Sequence, residues 1–175
     1  MDHSAGILLY RCIDTLQVLL VHPGGPYWQF RDRGWWSIPK GKVEEGEKPF
    51  TAALREFSEE MGEPLFRGYD DVESAYLDLG MVRQSKTKNV SVWARERDYD
   101  PSELNSNTCE IEYPAGSGKT ITIPEIDRAE WFDCQFDSPT RRPAYDMILP
   151  GQRRFLMRLT EKLSWRGVLH FEESQ

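Results

Sequence analysis

The chain has 175 residues, 39% of them hydrophobic and 12% aromatic, with a formal net charge of −7. That size and balance suit one folded domain, 1–175, with a real core rather than a disordered chain. The acidic charge disfavours nucleic acid as the main partner, because such partners are held by basic surfaces. No apolar run nears the ~20 residues that span a bilayer, and the run GILLY at 6–10 is too short for a signal peptide. The expectation is therefore a soluble, cytoplasmic protein without membrane partners. Cys12, Cys109 and Cys134 are widely spaced and odd in number, which fits ordinary thiols better than a disulfide framework or a zinc site.

The runs SAGILLYR at 4–11 and QVLLVHP at 17–23 flank a polar turn at Asp14 and Thr15 and predict paired strands. Next, PGGPYWQFRDRGWW at 23–36 combines Gly, Pro and aromatics and predicts a loop. Its Tyr27, Trp28, Phe30, Trp35 and Trp36 present aromatic faces, mostly for packing, with Trp35 a candidate to stack on a base. From Pro49, a residue suited to a first helical turn, Phe50, Leu54, Phe57 and Met61 recur at spacings of 4, 3 and 4. This is the apolar stripe of an amphipathic helix, and Gly62 and Pro64 end it. The runs ESAYLDLGMV at 73–82 and NVSVWARE at 89–96 predict two more strands about a basic turn. Residues 98–124 are polar and irregular and predict an insertion carrying a short strand pair. AEWFD at 129–133 predicts a returning strand, and Phe155, Leu156, Leu159 and Leu163 predict a closing helix.

The helix carries a crowd of charge. Glu56, Glu59 and Glu60 share one face at i, i+3 and i+4, where like charges cost roughly 0.2–0.5 kcal/mol per pair. A hard cation, which takes oxygen ligands, would turn that repulsion into binding energy. For an arbitrary Glu-rich helix, a solvated face is the ordinary explanation. The surroundings argue otherwise: Gly41 precedes Glu47 by six positions, seven residues separate Glu47 from Arg55, and REFSEEMG follows at 55–62. This pattern resembles the Nudix box, G-x5-E-x7-R-E-U-x-E-E-x-G-U with U bulky and apolar, and departs from it only at Glu63. The order of predicted elements resembles the Nudix α/β/α sandwich with a mixed central sheet over nearly the whole chain. SAGILLYR, VHPGGP and WSIPKGK are similar to a bacterial branch of predicted nucleotide pyrophosphohydrolases.

The resemblance implies hydrolysis of a pyrophosphate bond in a nucleoside diphosphate linked to another group, by water attack at phosphorus with Mg²⁺ or Mn²⁺. By position it implies Glu56 and Glu60 as metal ligands, and Glu59 as ligand to a second ion or as the group that orients the water. The backbone at Lys40 and Gly41 would complete the ligand set, with Lys40 also near substrate. Arg55 is implied as a supporting group paired with Glu47. The general base stays unassigned among the carboxylates. The family often adds a carboxylate from another loop, for which Glu125 is the candidate and Glu110 and Glu112 its competitors. AGSGKT at 115–120 resembles the end of a P-loop, but Tyr113 stands where a Gly is needed and ITIP follows where a helix should start. A turn is expected there, with Lys119 as a candidate phosphate contact. His3, His22 and His170 are isolated and read as structural or surface residues, and Arg141 and Arg142 as solvated charges. The alternative function is a non-catalytic nucleotide-binding or regulatory module on the same fold, which loss of a box carboxylate would favour; none is lost. Nucleoside triphosphates, dinucleoside polyphosphates and nucleotide sugars all remain open as substrates, as does a homodimer.

Overall fold

Strand β1 (Asp2–Cys12) has water on neither face: Ala5, Ile7, Leu8 and Leu9 are all buried. A strand covered on both sides reads as a continuous apolar run, as this one does. Ile7 and Leu9 enter one core with Leu19 and Val21 of β2 (Leu16–Pro23), while Leu8 and Tyr10 enter another with Val18 and Leu20. Helix α1 (Pro49–Met61) closes the first core through Phe50, Ala53, Phe57 and Met61. Burying side chains such as Phe57 and Met61 contributes about 1.5–3 kcal/mol each. Helices α2 (Ala144–Met147) and α3 (Arg153–Trp165) close the second core, α3 through Phe155, Leu156, Leu159 and Leu163. The result is an α/β/α sandwich. This computed structural model describes residues 2–62, 73–134 and 142–165. Glu63, Pro64, Arg141 and His170 lie outside them.

The sheet is mixed. Strand β3 (Lys40–Lys42) precedes α1, and β4 (Leu77–Arg83), β5 (Lys88–Glu96) and β8 (Ile126–Asp133) complete the order β4-β5-β1-β2-β8, with β3 also on β1. Strand β1 runs parallel to β5 and antiparallel to β2 and β3. Its pairing with β2 covers only Tyr10 to Cys12, whereas Ser4 to Gly6 pair with β3. The two central strands therefore splay, and the segment 36–42 fills the wedge. Ser37 exchanges two 2.9 Å hydrogen bonds with Val21, and Ile7 N–H donates to Pro39 O at 3.2 Å. Gly6 is required here, since a Cβ would overlap the Pro39 carbonyl.

The chain beyond β8 grips the same segment from its other side. Trp36 N–H donates to Met147 O at 3.1 Å and Leu149 N–H to Trp36 O at 2.8 Å. The buried Gln152 accepts Ile38 N–H at 2.9 Å and donates to Gln84 Oε1 at 2.9 Å.

The insertion forms a two-stranded hairpin, β6 (Thr108–Glu112) with β7 (Thr120–Pro124), and AGSGKT lies at and beside its tip with strand, not helix, after it. Its lead-in caps α1, whose last carbonyls lack helical partners. Asn107 N–H donates to Glu59 O at 2.9 Å, Tyr99 Oη to Met61 O at 3.0 Å, and Asn105 N–H to Met61 O at 3.4 Å. Gly62, left-handed at φ 76°, gives its N–H to Ser58 O and leaves room where a Cβ would meet the Asn105 carbonyl. Of the described strands and α-helices, two were not predicted: β3, three residues that are a strand only by pairing with β1, and α2, a single turn of four residues.

Replacing Gln152 with Leu strands the buried Ile38 N–H and removes both amide bonds. The cost is about 2 kcal/mol, which a thermal melt of a chain this size registers as a fall of about 4–8 °C. An unchanged melting temperature would show that the clamp on segment 36–42 contributes nothing to stability.

Candidate active site

The apolar stripe of α1 lies on the sheet, so the residues at its edge face the wedge that holds β3. Glu60 is one of them and is only 8% exposed. Its Oε2 accepts the Lys40 N–H at 2.8 Å. Burial pushes the Glu60 carboxyl up to about 8; the Lys40 ammonium and amide oppose this, and Glu56 and Glu125 reinforce it. The Glu56 carboxyl is also raised, first by burial and then by Glu59 and Glu125, against the pull of Arg55. Glu56 lies so close to β3 that a Cβ at Gly41 would overlap its carboxylate and displace it.

Arg55 organises the opposite side of this cluster. It holds Glu47 through two nitrogens, at 3.1 and 2.9 Å, and reaches the Lys42 carbonyl at 3.0 Å, tying the loop before α1 to the helix. The same guanidinium pairs with Glu56 at 2.8 Å and Glu59 at 3.3 Å. Its hydrogen bonds hold Glu47 below the usual carboxylate range. The three helix carboxylates are thus adjacent but turned apart, two toward Arg55 and one toward the Lys40 amide. Among the described residues no three His, Cys, Asp or Glu side chains stand together as a finished metal-ligand set.

Glu125 comes to the cluster from the far side. It directly follows β7, and its backbone is pinned twice: its N–H donates to Asn107 O at 3.0 Å and its carbonyl accepts Gly24 N–H at 2.9 Å. Asn107 therefore bridges the Glu59 carbonyl and the Glu125 amide. Glu125 and Glu60 line one cleft of about 420 Å³ with Lys40, Trp28 and Trp35. Trp28 and Trp35 stand 5.1 Å apart at 33°, and Arg31 covers Trp35 at 4.9 Å. A second hollow, of about 370 Å³, runs along α3 past Leu156 and Trp165, away from the carboxylates.

The competitors of Glu125 point elsewhere. Strand β6 alternates, with Cys109 and Ile111 half-buried on the cleft side and Glu110 and Glu112 exposed on the other. Lys119 is also exposed and is not brought to the site: it lies next to the hairpin tip, six residues from Glu125, or about 20 Å of extended strand. Phe30 is 91% exposed, Trp36 lies in the core, and Arg142 pairs with Asp32 and Glu130.

His22 is not an isolated side chain. It is fully buried, with Nδ1 2.8 Å from Asp127 Oδ1 and Nε2 2.7 Å from Arg31 O, and so anchors the aromatic loop to β8. Asp127 is 105 positions away, and no local pattern announces the pair. The bridge at Asn107 was hidden for the same reason, since backbone groups make it.

Comparison with known proteins identifies the family of the fold. The NUDIX domain family model matches residues 2–135. Nudix hydrolase 5 of Arabidopsis thaliana is 27% identical over 112 residues, 63% of this chain and 32% of that protein. The m7GpppN-mRNA hydrolase dcap-2 of Caenorhabditis elegans is 30% identical over 128 residues, 70% of this chain and 13% of that protein. This chain thus spans a third or less of the curated relatives it matches. The crystal structure of a C. elegans Ap4A hydrolase superposes with a TM-score of 0.55 at 17% identity, covering 93% of this chain and 98% of that one. The glycine, the glutamates and the arginine that surround the wedge are the same ones whose spacing resembled the box, and the chain belongs to the NUDIX domain family.

Proposed function

We propose that the chain is a divalent-metal-dependent hydrolase of a pyrophosphate linkage in a nucleoside diphosphate joined to another group. The observation that carries this reading is that Glu60 on α1 and Glu125 after β7, from separate elements, line one cleft with Lys40. Relatives named for the hydrolysis of m7GpppN-mRNA and of Ap4A support it.

The residues suit a hard cation. Glu60 is a buried carboxyl whose ionisation burial opposes, and Gly41 clears space for the Glu56 carboxylate beside the Lys40–Gly41 backbone. Glu56, Glu60 and the Lys40–Gly41 backbone would hold Mg²⁺ or Mn²⁺, with Glu59 and Glu125 for a further ion. Bound ions would neutralise the phosphoryl oxygens and acidify the attacking water. The chain supplies the rest. Arg55 keeps Glu56 and Glu59 in place, the Lys40 ammonium meets a substrate phosphate, and Trp35 with Trp28 gives the nucleotide an aromatic wall. Glu125, which comes from outside the helix, would orient the water or accept its proton.

A screen of nucleotides with Mg²⁺, with products separated by chromatography, tests the reading; no product from any nucleotide would overturn it. Against the best substrate, Glu60→Gln should lower turnover by several orders of magnitude, because it removes a ligand charge at constant size. Activity within about tenfold of wild type would remove Glu60 from the site. Glu125→Gln should cost at least ~100-fold, about 2.7 kcal/mol of barrier, while Glu110→Gln and Glu112→Gln stay within a fewfold. A large loss at Glu112 with a small one at Glu125 would reverse that assignment.

The raised Glu60 carboxyl also sets a pH dependence. Between its unfolded value of ~4.3 and about 8 when folded, the folded chelated protein holds a proton that the unfolded chain has released. The native state binds more protons in that window, so this group's contribution is complete below it and is lost as pH rises through it. In EDTA the melting temperature of wild type, relative to Glu60→Gln, should fall from pH 5 to pH 8.5. Millimolar Mg²⁺ should raise the wild-type value more at pH 8 than at pH 6, because the ligand must be ionised. Parallel curves for the two proteins would contradict both.

A further inference from the structure

The hairpin β6–β7 is chemically two-faced. Glu110 and Glu112 lie on the outer side, while Cys109, Ile111 and Ile123 line the cleft. A two-stranded hairpin is marginal by itself in water, and this one is latched to the aromatic loop. Gly24 and Gly25 make the close approach: a Cβ on Gly24 would overlap the Pro124 carbonyl, and one on Gly25 would meet Ile123 and Ile111. Tyr27 Oη donates to Glu112 O at 2.9 Å, and the Tyr27 and Tyr113 rings meet edge to face at 5.4 Å. The latched unit could have sealed its apolar face completely. Ile111 instead stays half-buried beside the open cleft.

The cleft lining combines charge with apolar surface, as a nucleotide does. Lys40, Glu60 and Glu125 supply charge, and Trp28, Trp35, Ile111 and Ile123 supply apolar surface. Its volume of about 420 Å³ falls within the range of small-ligand sites. We propose that Ile111 and Ile123 are specificity-determining residues: with Trp28 and Trp35 they form a slot for the base of the nucleotide, so that the cleft selects nucleotides over base-free polyphosphates. This rests on the hydrolase reading for the placement of the phosphates by Lys40 and the carboxylates. Because Glu125 directly follows β7 and the Asn107 bridge holds it, the wall that meets the base and the carboxylate that meets the phosphate belong to one rigid piece.

Calorimetric titration with ATP and with inorganic tripolyphosphate, each with Mg²⁺, tests the slot in wild type, Ile111→Ala, Ile123→Ala and Ile111→Leu. Wild type should bind ATP more tightly than tripolyphosphate. Each Ala variant should weaken ATP about tenfold through lost apolar contact and leave tripolyphosphate within twofold, and Ile111→Leu should restore ATP binding. A merely structural role would weaken both ligands together. That result, or ATP affinity unchanged in both Ala variants, or wild type binding ATP no better than tripolyphosphate, would overturn the slot. Hydrolysis is read separately: ATP held as expected, with no product from any nucleotide, removes the hydrolase reading and leaves the slot standing.

Discussion

One carboxylate kept almost dry organises this molecule. Taking Glu60 out of water is costly unless it is hydrogen-bonded or discharged, and the Lys40 amide meets part of that need at 2.8 Å. That amide is available because β1 and β2 splay and the segment 36–42 occupies the wedge. The splay in turn depends on both edges of the segment being satisfied, by Val21 and Ile7 on one side and by Met147, Leu149 and Gln152 on the other. The C-terminal layer thus contributes to the site mostly from behind: α3 closes a core, the turn before it holds the segment that meets Glu60, and Leu149 adds one side of the cleft.

The second half of the cleft is built by an independent device. A helix can present carboxylates from one direction only, and the opposing group has to come from a loop, where precision is hard to hold. The insertion solves this with backbone rather than side chains. Asn107 takes a carbonyl of α1 and gives its own to Glu125, so the separation of Glu59 and Glu125 is set by two hydrogen bonds across one residue. The same stretch satisfies the last-turn carbonyls of α1.

How far the sequence discloses this depends on whether an element carries its own period. Helix α1 does: the Phe50-Leu54-Phe57-Met61 stripe, the Gly62 stop and the box spacing were all visible, and β1, β2, β4 and β5 follow their apolar runs, although the predicted strand start at 73–75 is a single 3-10 turn. Strand β3 has no pattern, because three residues become a strand only through their partner. Position on a hairpin is equally silent. Lys119 and Glu125 are six residues apart, yet extended geometry separates the tip from the base by about 20 Å, so Glu125 lines the cleft and Lys119 does not. His22 and Asp127 meet across 105 positions, so the sequence left His22 between a structural and a surface role and did not name its partner.

The charge of the site also has an order built into it. Glu47, Glu56, Glu59, Glu60 and Glu125 gather about Arg55 and Lys40, and Arg55 is already engaged by three of the carboxylates. In a protein whose net charge is −7, such a cleft repels a polyphosphate. On the hydrolase reading, anionic substrate and acidic cleft become compatible only when divalent charge lies between them, so the ion enters with the phosphates or before them. The raised carboxyls of Glu56 and Glu60 give the same conclusion from the protein's side: what burial makes hard to ionise, a hard cation makes easy, and the site is most complete when both charges arrive together.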